Sequence, residues 1–223
     1  GLTSRFTGLP AAAGELYVRH QTGSAVLLQN TVNPWSGLLR DRSRIATFMG
    51  NRGVIHDQSR EIKPKAWVGK RWICCAKEFK GIDRRPLFKT DPFSYTELFF
   101  LDEATAYSAG HRPCNDCRNA DLSKFKQFWA EAFGALTPGV RLTVGEIDSQ
   151  LHRERIGANG SKGTYSANRN SLPLGVMFAY GGQAYLVRRH GVRLWTTSGY
   201  LPANVPQGAE VEVLTPKSIV QLI

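Results

Sequence analysis

Short runs of apolar, β-prone residues separated by glycine dominate the C-terminal third of the chain. Three such runs, 175–180, 183–189 and 192–197, are predicted to be strands. Gly181-Gly182 and His190-Gly191 lie between them, where tight hairpin turns are expected. Segment 209–214 is predicted to be a further strand, and Pro216 favours the first turn of a helix over 216–222.

A helical spacing of apolar residues occurs in the middle of the chain. A helix over 122–133 is predicted, and its apolar stripe consists of Leu122, Phe125, Phe128, Trp129 and Ala132. Asp102 is a suitable N-cap for a second helix over 103–109, and Gly110 stands just past its end. We expect the apolar stripe of the 122–133 helix to pack into the core rather than to stack on bases.

The remaining pattern predicts more strands than helices. The other predicted elements are strands at 15–19, 25–29 and 95–101, a strand pair over 66–79 that turns near Gly69-Lys70, a strand leading into a helix over 140–156, and a polar loop at 157–170. The fold class is therefore predicted to be α+β with mostly antiparallel sheet. We expect a β-rich part over 1–137 and an α+β part over 138–223, packed as a compact pair or as one domain.

The charge of the chain favours a polyanionic partner. Lysine and arginine number 29 against 18 acidic residues, which gives a net charge of +11 and an isoelectric point near 9.8. Such a field attracts nucleic acid. No apolar run approaches the roughly 20 residues that span a bilayer, and no secretory pattern opens the sequence. We therefore expect nucleic acid as partner, no membrane association and a cytoplasmic location.

Four cysteines form two close pairs, Cys74-Cys75 and Cys114-x-x-Cys117. A CxxC spacing lets one tight turn present two thiolates to a zinc ion, and a second pair can complete the site. Adjacent residues of a regular strand point to opposite faces, however, so Cys74 and Cys75 can both bind only where the strand ends or bulges. Otherwise one of them is a core thiol and the fourth ligand comes from elsewhere, with His111 or His56 as candidates.

The segment FFLDEATAYSAGHRPCNDCRN, residues 99–119, resembles the metal-binding domain of Ada, a bacterial DNA methyl-damage repair protein. The resemblance covers about 72–120, in a module predicted over 72–133, and rests mainly on Arg112, Pro113, Cys114, Cys117 and Arg118. It implies a cysteine-rich zinc site facing DNA phosphates, in which one thiolate accepts a methyl group from a phosphotriester. That family separates its first two cysteines, whereas here they are adjacent. The longer chain is also similar to uncharacterised bacterial proteins with the same RPCxxCR knuckle.

Two further segments contain residue types used in acid–base chemistry. The segment MGNRGVIHD offers His56 and Asp57, with Arg52 and nearby glycine amides suited to a phosphate. Asp148 and His152 are four residues apart and share a helix face, so they form either an acid–base pair or a surface ion pair. The residues expected to contact nucleic acid are Arg52, Arg84, Arg85, Arg112, Arg118 and Lys124.

Three functional hypotheses follow from these patterns. The first is a zinc-containing DNA-binding protein of repair or DNA-processing type. The second is a nuclease or DNA glycosylase with a structural zinc and catalysis by His56, Asp57, Asp148 or His152. The third is a zinc-stabilised protein-interaction module.

Overall fold

A computed structural model of the chain describes residues 28–83, 95–134 and 142–223. The strand predicted at 15–19, most of that at 25–29, and both Arg84 and Arg85 lie outside these residues. Within them, no helix is long and apolar enough to cross a membrane.

The described elements are four α-helices and fourteen strands in three sheets. The helices are α1 (Glu103–Ser108), α2 (Asn119–Phe133), α3 (Val144–Arg155) and α4 (Lys217–Val220). The strands of the first half are β1 (Gln29–Val32), β2 (Leu38–Asp41), β3 (Phe48–Asn51), β4 (Ile73–Ala76), β5 (Glu78–Phe79), β6 (Ile82–Asp83), β7 (Leu98–Phe100) and β8 (Arg112–Pro113). Those of the second half are β9 (Tyr165–Asn168), β10 (Met177–Tyr180), β11 (Gln183–Arg188), β12 (Gly191–Thr196), β13 (Gly199–Ala203) and β14 (Glu210–Val213).

Two six-stranded sheets form the framework. The N-terminal sheet has the order β2-β1-β7-β3-β4-β8 and is mixed, because the β1–β7 and β4–β8 pairs are parallel. The C-terminal sheet has the order β13-β12-β11-β10-β14-β9 and all its pairs are antiparallel. The short β5–β6 hairpin is separate. The predicted α+β class with mostly antiparallel sheet is confirmed.

The hairpins of the C-terminal sheet follow the predicted turns closely. Gly181 and Gly182 both have positive φ and connect β10 to β11. The next turn falls on Arg189 and His190, with Gly191 already paired in β12. Strands β13 and β9 were not predicted, and β9 occupies part of the segment interpreted as a polar loop.

The strand pair predicted over 66–79 is wrong in its first half. Only β4 joins the N-terminal sheet, whereas residues 66–72 run outside it as bends. Trp72 is nonetheless buried and contacts Arg52 and Arg155, so its apolar character reflects packing rather than strand pairing.

The helices largely follow the prediction. The carboxylate of Asp102 accepts a hydrogen bond from the Thr105 amide at 2.8 Å, which confirms the N-cap of α1. Helix α2 starts earlier than expected and buries Leu122, Phe125 and Trp129, whereas Phe128 is 46% exposed. The i, i+3, i+7 spacing of the three buried residues defines a narrower stripe than the predicted one.

The two predicted parts of the chain share one core cluster. Leu101, just before α1, packs with Met177, Leu186 and Leu214 of the C-terminal part. Helix α1 contacts both β7 and β10, and the Trp195 indole donates a hydrogen bond to the Thr105 hydroxyl at 3.1 Å. Helix α1 therefore connects the two sheets.

Candidate metal centre

Strand pairing brings the two cysteine pairs together. Strand β4 pairs with β8 in parallel register, which places Cys74 opposite Pro113. The Cys114 amide then donates a hydrogen bond to the Cys74 carbonyl at 2.9 Å. The CxxC turn follows immediately, so its thiols lie beside β4.

The alternation of β4 separates its two cysteines. Cys74 packs in a cluster with Val32, Ile55 and Leu98, whereas Cys75 packs with Met49, Phe99 and Cys114. Because the strand neither bulges nor ends between them, only one can face the knuckle.

Three cysteines therefore form a group that could hold a metal ion. The sulfurs of Cys75, Cys114 and Cys117 all lie within 4.8 Å of one another, and this group could hold a metal ion. Cys74 lies outside it, so the four-cysteine set must be corrected to three. The alternative ligand His111 is also elsewhere, because its ring packs against Trp72 and Phe100.

Hydrogen bonds to the Cys114 sulfur favour its deprotonation over that of the other two thiols. The pKa of Cys114 is lowered to about 5, because the Cys75 thiol and backbone amides, including that of Asp116, donate to its sulfur. The pKa of Cys75 is raised by that same hydrogen bond and by burial. Burial also raises the pKa of Cys117, although the Ala76 amide donates to its sulfur at 3.4 Å.

This donor set fits a borderline-soft cation. A bound metal ion deprotonates coordinating thiols outright, and amide N–H donors stabilise the resulting thiolates. Across the three described segments, no fourth cysteine, histidine, aspartate or glutamate joins the group. A tetrahedral ion would take its fourth ligand from water, a substrate or a residue outside those segments.

The arginines of the knuckle point inward rather than toward solvent. Arg112 is 2% exposed and binds Asp148 through two hydrogen bonds of 3.0 and 2.9 Å. Arg118 is 7% exposed, forms ion pairs with Glu103 and Asp121, and donates to the Cys74 sulfur at 3.3 Å. The expectation that Arg112 and Arg118 contact phosphates is corrected, because protein groups already satisfy both side chains.

Cys74 belongs to this buried network rather than to the metal group. Burial raises the pKa of its thiol to about 12, although the Arg118 guanidinium opposes that shift. Arg118 also lies over the Phe48 ring, 4.6 Å from its centroid. The network joins β4 to α1 and α2.

The residues expected to act in acid–base chemistry are dispersed. The Nδ1 atom of buried His56 is 2.6 Å from the Thr96 hydroxyl. Asp57 is exposed and accepts hydrogen bonds from the amides of the turn that follows it. Asp148 is held by Arg112, and half-buried His152 instead lies beside Trp67 and Trp72.

Of the residues expected to bind nucleic acid, Lys124 is exposed on α2 and Arg52 is buried. Arg52 belongs to a second cluster that sequence spacing did not reveal, together with His111, Arg155 and Lys162. No local motif links these four residues. The only signal in the sequence was the position of Arg52 in a glycine-rich segment and of His111 beside the knuckle.

No protein family model, curated protein or solved structure matches this chain. The interpretation of the site therefore depends on its own geometry and on the motif at 99–119.

Proposed function

We propose that this chain is a zinc-containing protein that binds nucleic acid, with DNA as the expected ligand. Cys75, Cys114 and Cys117 would hold the zinc ion as a structural centre. The observation that carries this proposal is the convergence of these three thiols at the junction of β4 and the CxxC turn. Thiolates in such a knuckle suit zinc better than a hard cation such as magnesium.

A structural role is favoured over methyl transfer. Cys75 and Cys114 are 3% and 8% exposed, which leaves little access for a phosphotriester. Cys117 is half-buried and is the most accessible of the three. The repair activity implied by the resemblance to Ada would therefore fall on Cys117, and Cys117→Ser is the variant that tests it.

Support for a nucleic-acid partner comes from exposed basic residues rather than from the knuckle arginines. Between residues 40 and 71 the exposed cations are Arg40, Arg42, Arg44, Arg60, Lys63, Lys65, Lys70 and Arg71. Only Asp41, Asp57 and Glu61 oppose them in that segment. A surface with this excess of positive charge can bind phosphates along a nucleic-acid backbone.

The two other hypotheses have weaker support. A nuclease or glycosylase needs converging acid and base groups, whereas Asp148 is engaged by Arg112 and His56 lies on the Thr96 side of the N-terminal sheet. A protein-interaction module would not require a net charge of +11. Salt-dependent DNA binding without turnover separates our proposal from both.

Elemental analysis of wild type, Cys114→Ser and Cys74→Ser tests the metal centre. We expect one zinc per chain in wild type and in Cys74→Ser, and loss of the metal in Cys114→Ser. Cys74 is the matched control because it is a buried thiol next to a proposed ligand. Absence of metal from wild type, or its loss from Cys74→Ser alone, would contradict the proposal.

A salt titration of binding to a DNA duplex tests the partner. We expect log Kd to rise steeply with log salt, with a slope that reports the number of phosphates contacted. Charge-removing changes at exposed Arg42 and Arg71 should each reduce that slope by about 1. A shallow or absent salt dependence would favour the protein-interaction module.

A further inference from the structure

A cluster of positive groups lies in the protein interior around Trp72, away from the cysteines. The Arg52 guanidinium lies 4.0 Å from the centroid of the Trp72 ring, and the Arg155 guanidinium lies 4.1 Å from it. The His111 ring packs against the same indole at 5.2 Å. Lys162 is close enough for its charge to interact with those of Arg52 and Arg155. We call these four residues, Arg52, His111, Arg155 and Lys162, the cationic cluster.

Part of this cluster has an ordinary structural role at the C-terminus of α1. Arg155 donates to the Gly110 carbonyl at 2.7 Å, and Lys162 donates to the Ser108 carbonyl at 2.6 Å. Cations at this end of a helix offset the partial negative charge of its last carbonyls, which amounts to roughly half an elementary charge. That partial charge is too small to balance the charges of two guanidinium groups.

The carboxylates nearest the cluster are occupied by other groups. Asp148 is bound by Arg112, and Glu154 accepts hydrogen bonds from the Ser218 amide and hydroxyl. Among the residues that the structure describes, no carboxylate forms an ion pair with Arg52, Arg155 or Lys162. Asp148 and Glu154 therefore attract Arg155 and Lys162 only from beyond ion-pair distance. Burial with so little counter-charge is costly, and mutual repulsion adds to that cost.

Two buried guanidinium nitrogen atoms of the cluster have no hydrogen-bond partner. They are Nη2 of Arg52 and Nε of Arg155. The Nε group of Arg52 donates to Nε2 of His111 at 3.2 Å, so the imidazole carries its proton on Nδ1. That Nδ1–H group interacts with the Ala106 backbone. Both unpartnered atoms are therefore guanidinium N–H donors, and neither is an acceptor.

Unsatisfied donors combined with unbalanced positive charge are the complement of an oxyanion. We infer that the cationic cluster is a binding site for the dianion of a phosphate group. Arginine is suited to phosphate because its planar guanidinium presents several donors at once. This site does not depend on the zinc centre or on the binding of nucleic acid along the exposed surface.

The surroundings of the cluster suit a phosphate that is attached to a larger molecule. Half-buried Trp67 and His152 lie beside Trp72 at ring separations of 6.0 and 6.4 Å, and exposed Lys65 lies over Trp67. These half-buried rings and exposed Lys70, whose carbonyl accepts from Arg155, are neighbours of the cluster that reach solvent, and a ligand would enter past them. A terminal phosphate of a nucleic acid and free inorganic phosphate share the chemistry that the cluster would recognise.

Calorimetric titration of the metal-loaded full chain with inorganic phosphate tests this inference. We expect one phosphate to bind per chain, and phosphate to raise the melting temperature above that in chloride of equal ionic strength. Lys162→Gln and Arg52→Gln should each weaken binding by about tenfold or more, because each removes a charged donor. Arg193→Gln, which changes an exposed arginine on β12, should leave Kd within about twofold.

Two cluster variants are used so that the test still gives an answer if one of them does not fold. Arg52 is fully buried, so should Arg52→Gln fail to fold, half-buried Lys162 with its single hydrogen bond decides the outcome. The inference is overturned if wild type shows neither phosphate binding nor a phosphate-specific rise in melting temperature. It is also overturned if Arg193→Gln weakens binding as much as the cluster variants do.

Two oligonucleotides of the same sequence identify the source of the phosphate. Tighter binding of a 5′-phosphorylated strand than of its 5′-hydroxyl counterpart, with the difference lost in Lys162→Gln, assigns the site to a nucleic-acid end. Equal binding of both strands, with inorganic phosphate still bound, assigns it to a free or small-molecule phosphate. Metal content and the salt dependence of duplex binding are measured separately, so failure of this inference leaves the proposed function intact.

Discussion

The two six-stranded sheets differ in what they bury. The C-terminal sheet has an apolar interior, formed by residues such as Phe178, Leu186 and Val211. The N-terminal sheet and the segments beside it bury a large share of polar and charged side chains, namely Gln29, Asn30, Thr31, Arg52, His56, Glu97, His111 and Arg112. Buried polar groups cost free energy unless they are paired, so we expect the functional residues to lie in this part of the molecule.

This difference predicts that a metal ion held by the three cysteines would support the N-terminal sheet alone. Removal of the metal with a chelator should abolish the hydrogen-exchange protection of β4, β8 and the CxxC turn, because a structural zinc contributes about 10 kcal/mol or more to folding. Amides of β10, β11 and β12 should keep most of their protection, since apolar packing holds those strands. Hydrogen exchange followed by mass spectrometry measures both regions in one sample. An unchanged exchange pattern and melting curve would show that the cysteines hold no structural metal.

The buried Arg112–Asp148 pair offers a sharper test of the same contrast. Asp148→Ala should lower the free energy of unfolding by about 3–5 kcal/mol, because it leaves the Arg112 charge buried without a partner. Urea unfolding measures this loss. The matched control is Glu61→Gln, which removes the partner of Arg40 in an exposed pair and should cost less than about 1 kcal/mol. Similar losses for the two variants would mean that Asp148 does not compensate a buried charge.

The smallest effect concerns the pH dependence contributed by Lys162. Burial and the charges of Arg52 and Arg155 lower its pKa to about 7, whereas the ordinary pKa of lysine is 10.5. Between these values the unfolded chain holds a proton that the folded chain has released, so this group's contribution to stability increases as the pH rises. Relative to Lys162→Met, wild type should gain up to about 1.4 kcal/mol per pH unit across that window. Urea unfolding of both proteins at pH 7 and pH 9 measures the gain.

Subtracting the pH profile of Lys162→Met from that of wild type cancels the contributions of other titrating groups, because the cysteines ionise alike in both proteins. Parallel pH profiles would contradict a lowered pKa for Lys162. Saturating phosphate should reduce the gain if the cationic cluster binds a dianion, since a bound negative charge favours the protonated amine.

The contrast between the sheets also explains what could be predicted from the sequence. In the C-terminal sheet, β-prone runs and paired glycines determine the hairpins locally, so β10, β11, β12 and β14 were predicted to within a few residues. Strand β9 was missed because its partner β14 is distant in sequence and its own residues are polar. The α1 cap was predictable for the same local reason as the hairpins.

The site was predictable only where spacing along the chain defines it. The CxxC turn and the alternation of β4 indicated that Cys74 and Cys75 would differ, but not which of them would face the knuckle. That choice depends on the register of β4 against β3 and β8. The cationic cluster could not be predicted, because its four residues come from four places: just after β3, between α1 and β8, in α3 and in the segment after α3. Only tertiary packing brings them together.

The tight packing at Gly110 offers a way to recognise proteins that share this architecture. Gly110 has a φ of +80°, and a β-carbon there would lie 2.6 Å from Cδ of Arg155. A side chain at position 110 and an arginine at position 155 are therefore incompatible. In a search of genome sequences, CxxC alone would retrieve many unrelated zinc proteins. A glycine before the knuckle that occurs together with an arginine at the end of the second helix after it would be a far more selective signature of common ancestry.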